Sequence, residues 1–174
     1  MRRVNIIQGE HAVVGDPDVA IVTVLGSCIA VCLVDPTRRL GGMNHFLLGE
    51  PSGKNIPESD LQRYGVHAME LLVNALMRGG GQRSDLRAHL YGGATMIAGL
   101  GDIGKQNIAF ARRFLRTEGI QIRHEDVGGC HARRVEFQPF EGRSRCRIVR
   151  EPVAVEKPAP VRELIDNAGE LELF

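Results

Sequence analysis

The sequence predicts a single α/β domain in which a mixed, largely antiparallel sheet packs against two main helices. Three observations carry that prediction. Short β-branched runs outnumber helical stretches, only two segments repeat apolar residues at helical spacing, and turn signals, many of them among the 21 glycines, recur along the chain. A chain of 174 residues fits one domain and can bury a core without a disulfide or metal staple.

In chain order, residues 4–7 and 21–25 read as strands separated by the turn-rich stretch Gly15-Asp16-Pro17-Asp18. Residues 29–34 are apolar on both faces, as in a strand buried between two layers. The turn Asp35-Pro36-Thr37-Arg38 leads into a candidate strand over 40–48, and residues 50–59 read as a polar surface loop. Ser59 or Asp60 is positioned to cap a helix in which Leu61, Tyr64, Ala68, Leu71, Leu72, Ala75 and Leu76 recur, ending at Gly79-Gly80-Gly81. A strand over 86–91 breaks at Gly92-Gly93-Ala94, and these glycines read as turns or points of close backbone approach. A second helix is expected over 103–118 with Gly119 as its stop, then strands over 120–127, 133–137 and 146–149. Residues 1–150 thus form the domain, and 151–174 read as an acidic, Pro-containing, flexible tail with a short helix at 161–168.

The net charge of +1 divides unevenly: 151–174 carry six acids and two bases, leaving the first 150 residues at +5. Aromatic content of 5% without Trp argues against stacking on nucleic acid. No apolar run approaches the ~18 residues that span a bilayer, so no membrane insertion and a cytoplasmic location are expected, with Cys28, Cys32, Cys130 and Cys146 as thiols. Arg112, Arg113 and Arg116, together with Arg133, Arg134, Arg143 and Arg145, form either a solvated face or a surface for an acidic partner. His124, Cys130 and His131 match no usual zinc spacing and read as solvated residues, so no metal is assigned.

The chemistry concentrates at Cys28 and His45. Their midpoint falls inside the 35–38 turn, so an antiparallel hairpin with an even loop would set the two directly opposite each other on one face. A neighbouring imidazole draws a thiol's pKa down and shuttles protons, which makes the pair a candidate nucleophile and base. The alternative is core filler and a satisfied polar residue. Cys32 shares the face of Cys28 but lies about 13 Å along the strand and reads as core.

Leu25-Gly26-Ser27-Cys28-Ile29-Ala30-Val31-Cys32, Gly42-Met43-Asn44-His45-Phe46-Leu47-Leu48, Tyr64-Gly65 with Ala68-Met69, Gly92-Gly93-Ala94, Ile103-Gly104 with Asn107, and Gly128-Gly129 together resemble the CheD family of chemoreceptor glutamine deamidases, over about residues 4–149. The resemblance implies an α/β/α layered fold and a cofactor-free Cys-His deamidase working through a thioester. Cys28 falls on the family nucleophile and His45 on its base, with the backbone at Ser27 and Cys28 as oxyanion donors. A family threonine that orients the histidine lies six residues before the cysteine. Here that position is Val22, and the nearest threonine is Thr23, on the opposite strand face unless a bulge intervenes. The resemblance also implies cytoplasmic domains of chemoreceptors as substrates, glutamyl methylesterase activity on the same machinery, and a CheC-type phosphatase as a further partner. The alternative function is a non-catalytic chemotaxis adaptor.

Overall fold

The computed structural model describes residues 1–48, 57–97 and 102–150. The polar loop over 50–59 falls largely outside these residues, and the acidic tail with its expected helix lies wholly outside them.

Among the described residues nine strands form two mixed sheets. One is ordered β1 (Arg2–Asn5), β3 (Val19–Leu25), β8 (Ala132–Gln138) and β9 (Arg143–Val149), with only β1 and β3 parallel. The other is ordered β2 (His11–Val14), β5 (Leu40–Asn44), β4 (Ile29–Asp35), β6 (Arg87–Gly92) and β7 (Gln121–Val127), with only β6 and β7 parallel. The helices are α1 (Glu58–Arg78) and α2 (Ile103–Thr117).

The continuous apolar run of β4 explains the layering. Ile29, Val31 and Leu33 point to one face, where Met69, Leu72, Val73 and Leu76 of α1 and Ile108, Phe110, Ala111 and Leu115 of α2 cover them. Ala30, Cys32 and Val34 point to the other face and pack on Ile21, Leu25, Val135 and Phe137 of the four-stranded sheet. The mixed α/β class and the two main helices are as expected. The single expected sheet is two, and the layer opposite the helices is the second sheet, so the order is helices, sheet, sheet. The physical reason is that β3 and β8 each have an apolar face to bury, and no third described helix is available to cover β4.

Local departures follow from similar competition. β2 is absent from the sequence reading because its four residues are only half-buried and lie beside a strong turn signal. Helix α1 begins at Glu58 after Pro57, with no side-chain cap from Ser59 or Asp60. Its buried stripe is Gly65, Met69, Leu72, Val73 and Leu76, while Tyr64 is exposed. Gly65 is required there, since a Cβ would stand 2.4 Å from Leu48 and 2.7 Å from Phe110. At the β4–β5 turn, buried Asp35 accepts the N–H groups of Thr37, Arg38 and Gln82 and the Arg38 guanidinium. Burial raises the Asp35 pKa, but these donors outweigh it and hold the carboxyl below its ordinary value.

Candidate active site

The β4–β5 hairpin has a four-residue loop, with Asp35 opposite Leu40 and Cys32 opposite Met43. The loop is even, as the sequence reading required, but the register is displaced by two residues from the one that sets Cys28 against His45. The ladder then breaks. Asn44 Oδ1 accepts the Val31 N–H at 3.0 Å, and pairing resumes only at the isolated bridge between Ile29 and Phe46. Freed from the ladder, His45 bonds instead to the segment after β1: its N–H donates to Glu10 O, and its carbonyl accepts from Gly9 N.

This detour delivers the imidazole to the other sheet. Thr23 Oγ1 lies 2.8 Å from His45 Nδ1 and also 2.8 Å from Ile6 O. A carbonyl only accepts, so the single hydroxyl proton of Thr23 goes to Ile6 and the oxygen accepts from Nδ1–H. The neutral imidazole is therefore protonated on Nδ1, and Nε2 presents its lone pair. Nε2 is buried and has no hydrogen-bond partner among the described residues. Thr23 reaches this position without a bulge: the β3–β8 register is continuous from Ile21 to Leu25, and Thr23 shares the inward face of those two residues. Val22 points the other way.

Cys28 sits in the connection from β3 to β4, half-buried, and its thiol donates to Gln8 Oε1 at 3.5 Å. No hydrogen bond joins Cys28 to His45. The direct pairing expected from the hairpin is absent: Cys28 lies just before β4 and His45 just after β5, in segments that both bond Asn107, through Ser27 and Leu48. Burial pushes the Cys28 thiol up to about 11, opposed only weakly by its own backbone N–H. Burial pushes His45 down to about 4, with a small opposing effect from Glu10. The expected drop in the thiol's pKa is thus reversed: desolvation dominates, and at rest the proton stays on sulfur.

The backbone around the thiol is held carbonyl by carbonyl. Gly26 O accepts from Ala94 N at 2.9 Å, Ser27 O from Asn107 Nδ2 at 2.8 Å and Cys28 O from Gly93 N at 2.7 Å. In a trans peptide the N–H points opposite the carbonyl, so these bonds also fix the Ser27 and Cys28 N–H groups. No backbone acceptor among the described residues takes either N–H. Gly92 makes the approach possible: it has φ +105°, and a Cβ there would lie 2.2 Å from Cys28 O. Fully buried Asn107 also accepts Leu48 N at 2.9 Å, so one side chain braces the segments carrying the cysteine and the histidine. The sequence motif marks Asn107 but gives it no role.

The other cysteines stand apart. Cys32 is buried in the inter-sheet core, and the exposed Cys130 meets only His131, at 3.4 Å. A cleft of about 330 Å³ lined by His89, His124, Gln138, Gly142, Arg143, Ser144 and Arg145 contains none of Thr23, Cys28 or His45. Among the described residues no group of three His, Cys, Asp or Glu could hold a metal ion, and no helix is long and apolar enough to cross a membrane.

Residues 47–148 match the model of CheD, described as CheD chemotactic sensory transduction. A protein of Zymomonas mobilis named "Probable chemoreceptor glutamine deamidase CheD" is 51% identical over 173 residues, covering 99% of this chain and 93% of the relative. The chain belongs to the CheD family. A relative of the same name from Caulobacter sp. is 50% identical over 175 residues, with the same coverage. The CheD model match begins after His45, whereas these two relatives align across nearly the whole chain and so span Thr23, Cys28 and His45. Among solved structures, YfiH of Bacillus licheniformis has a TM-score of 0.46 at 16% identity, covering 67% of this CheD chain and 49% of its own. YlmD of Geobacillus stearothermophilus has a TM-score of 0.46 at 12% identity, covering 68% and 50%.

Proposed function

We propose that this CheD chain hydrolyses the side-chain carboxamide of specific glutamines on cytoplasmic domains of chemoreceptors, giving glutamate and ammonia. The observation that carries the chemistry is the Thr23–His45 hydrogen bond, which assigns the Nδ1 proton and leaves a buried Nε2 lone pair, on a segment that Asn107 braces together with the one carrying the Cys28 thiol. The substrate class comes from the relatives' names.

In this reading the substrate carboxamide takes the place of the Gln8 side chain on the thiol. Cys28 turns from Gln8 to Nε2, which accepts the S–H proton as sulfur attacks the amide carbon. The N–H groups of Ser27 and Cys28 stabilise the resulting oxyanion. An imidazole whose conjugate acid has a pKa near 4 holds a proton weakly, so it hands that proton readily to the departing nitrogen, and ammonia leaves. The thioester is then attacked by water, which gives a proton to Nε2. Collapse releases glutamate, and the proton returns to sulfur. A glutamyl methyl ester would follow the same course with methanol as the leaving group. Every step uses groups of this chain and water.

The test is amide-to-acid conversion in a receptor cytoplasmic fragment, read by peptide mass spectrometry. Wild type and Cys32→Ala should convert it, and Cys28→Ala should not. A purely adaptor role is read in the same samples, because an adaptor would keep its binding in Cys28→Ala and show no conversion in wild type; a CheC-type phosphatase partner is tested by pull-down of that phosphatase with the full chain.

A further inference from the structure

We propose that the outward face of β8 and β9 is a docking surface for an acidic stretch of the protein substrate near the target glutamine. The proposal rests on the deamidase reading above. Along β9, Ser144 and Cys146 turn inward or half-inward, while Arg143, Arg145 and Arg147 alternate with them and are exposed. Arg134 on β8 stands directly opposite Arg147 and is also exposed. None of these four arginines makes an ion pair among the described residues. The acid on this face, Glu136 opposite Arg145, is held by Arg3 at 3.3 Å.

Like charges directly opposed across a ladder are destabilising, and an anionic partner relieves them. Charges on an edge strand such as β9 can serve simply to block strand pairing. That role does not account for Arg134, because β8 is an interior strand between β3 and β9. Of the other basic candidates, Arg116 is exposed on α2 without an ion pair among the described residues, and the remaining three are engaged. Arg112 donates to Glu125 through Nε and Nη2, at 3.0 and 2.7 Å, Arg133 bonds Asp126, and Arg113 lies over the Phe110 ring. Arginines at alternate strand positions lie about 7 Å apart, close to the spacing of acids four residues apart on a helix, about 6 Å along its axis. The surface is also well placed: Arg134 pairs with Val24, four residues before Cys28 on the chain that leaves β3.

The experiment measures affinity of the full chain for a chemoreceptor cytoplasmic fragment across a salt series, alongside turnover of a short uncharged peptide containing one glutamine. The triple variant Arg134→Gln/Arg145→Gln/Arg147→Gln should bind the fragment about tenfold more weakly at low salt, with a flatter salt dependence, and should turn over the neutral peptide as wild type does. Equal affinity of wild type and variant overturns the proposal. So does wild type that gains affinity for the fragment only after residues 151–174 are removed, since the net −4 segment would then be the occupant of this face. Wild type that binds the fragment through these arginines but converts no glutamine would overturn the deamidase reading alone.

Discussion

Replacing His45 with Gln should remove an acid-side loss of stability that the fold builds in. His45 is 6% exposed, and its pKa is lowered by burial from 6.5 to about 4. Between those values the unfolded chain binds a proton that the folded chain refuses, so stability falls as pH drops from 6.5 towards 4 and levels off below. The shift corresponds to about 3 kcal/mol, with a steepest slope of about 1.4 kcal/mol per pH unit. Urea unfolding of wild type and His45→Gln at matched pH values isolates this contribution, because the carboxylates common to both chains cancel in the difference. His45→Gln starts less stable near neutrality, having lost the Thr23 bond, and the gap should narrow by about 3 kcal/mol by about pH 4. Parallel stability curves would refute a buried, neutral His45. The same shift predicts a kcat/KM profile whose acid limb lies near about 4, well below the range of an ordinary histidine.

Three further substitutions probe the parts that hold the site. Thr23→Val should lower kcat on the order of 10²-fold by freeing the imidazole to turn, and Thr23→Ser should restore it; equal rates for Val and Ser would remove Thr23 from the site. Gly92→Ala should cost at least about 2 kcal/mol in thermal or urea unfolding and exceed Gly80→Ala, which shares a positive φ but meets no neighbouring atom. Gln8→Ala should speed alkylation of Cys28 by iodoacetamide without changing stability, because Gln8 is exposed and its side chain accepts from the thiol.

The candidate site was legible in the sequence where chemistry and strand alternation agree. The Gly-Ser-Cys turn before an apolar strand marks Cys28 as a candidate, and the β4–β5 loop has the even parity that the hairpin reading requires. The two-residue displacement was hidden because it depends on Asn44 taking a backbone role, which alternation does not encode. Thr23 was ambiguous against Val22 until the sheet that β3 belongs to was known, since the inward face of a strand is defined only by what packs on it. The second sheet itself was not legible, because strand patterns specify a buried face and not the partner that buries it. The glycine pair at 92–93 was read as a close backbone approach, and the carbonyl being approached is that of Cys28. The resting charge state depended on burial depth, which residue types alone do not report.

The central claim is that Cys28 carries the substrate's acyl group. The most direct measurement is an acid quench of the full chain turning over a receptor fragment, followed by digestion and mass spectrometry of the peptide containing Cys28. Wild type should carry an adduct on Cys28 with the mass of the substrate peptide less ammonia, absent from Cys28→Ala and present on no other cysteine. Conversion of glutamine to glutamate that proceeds undiminished in Cys28→Ala, with no adduct on Cys28 in wild type, would contradict it.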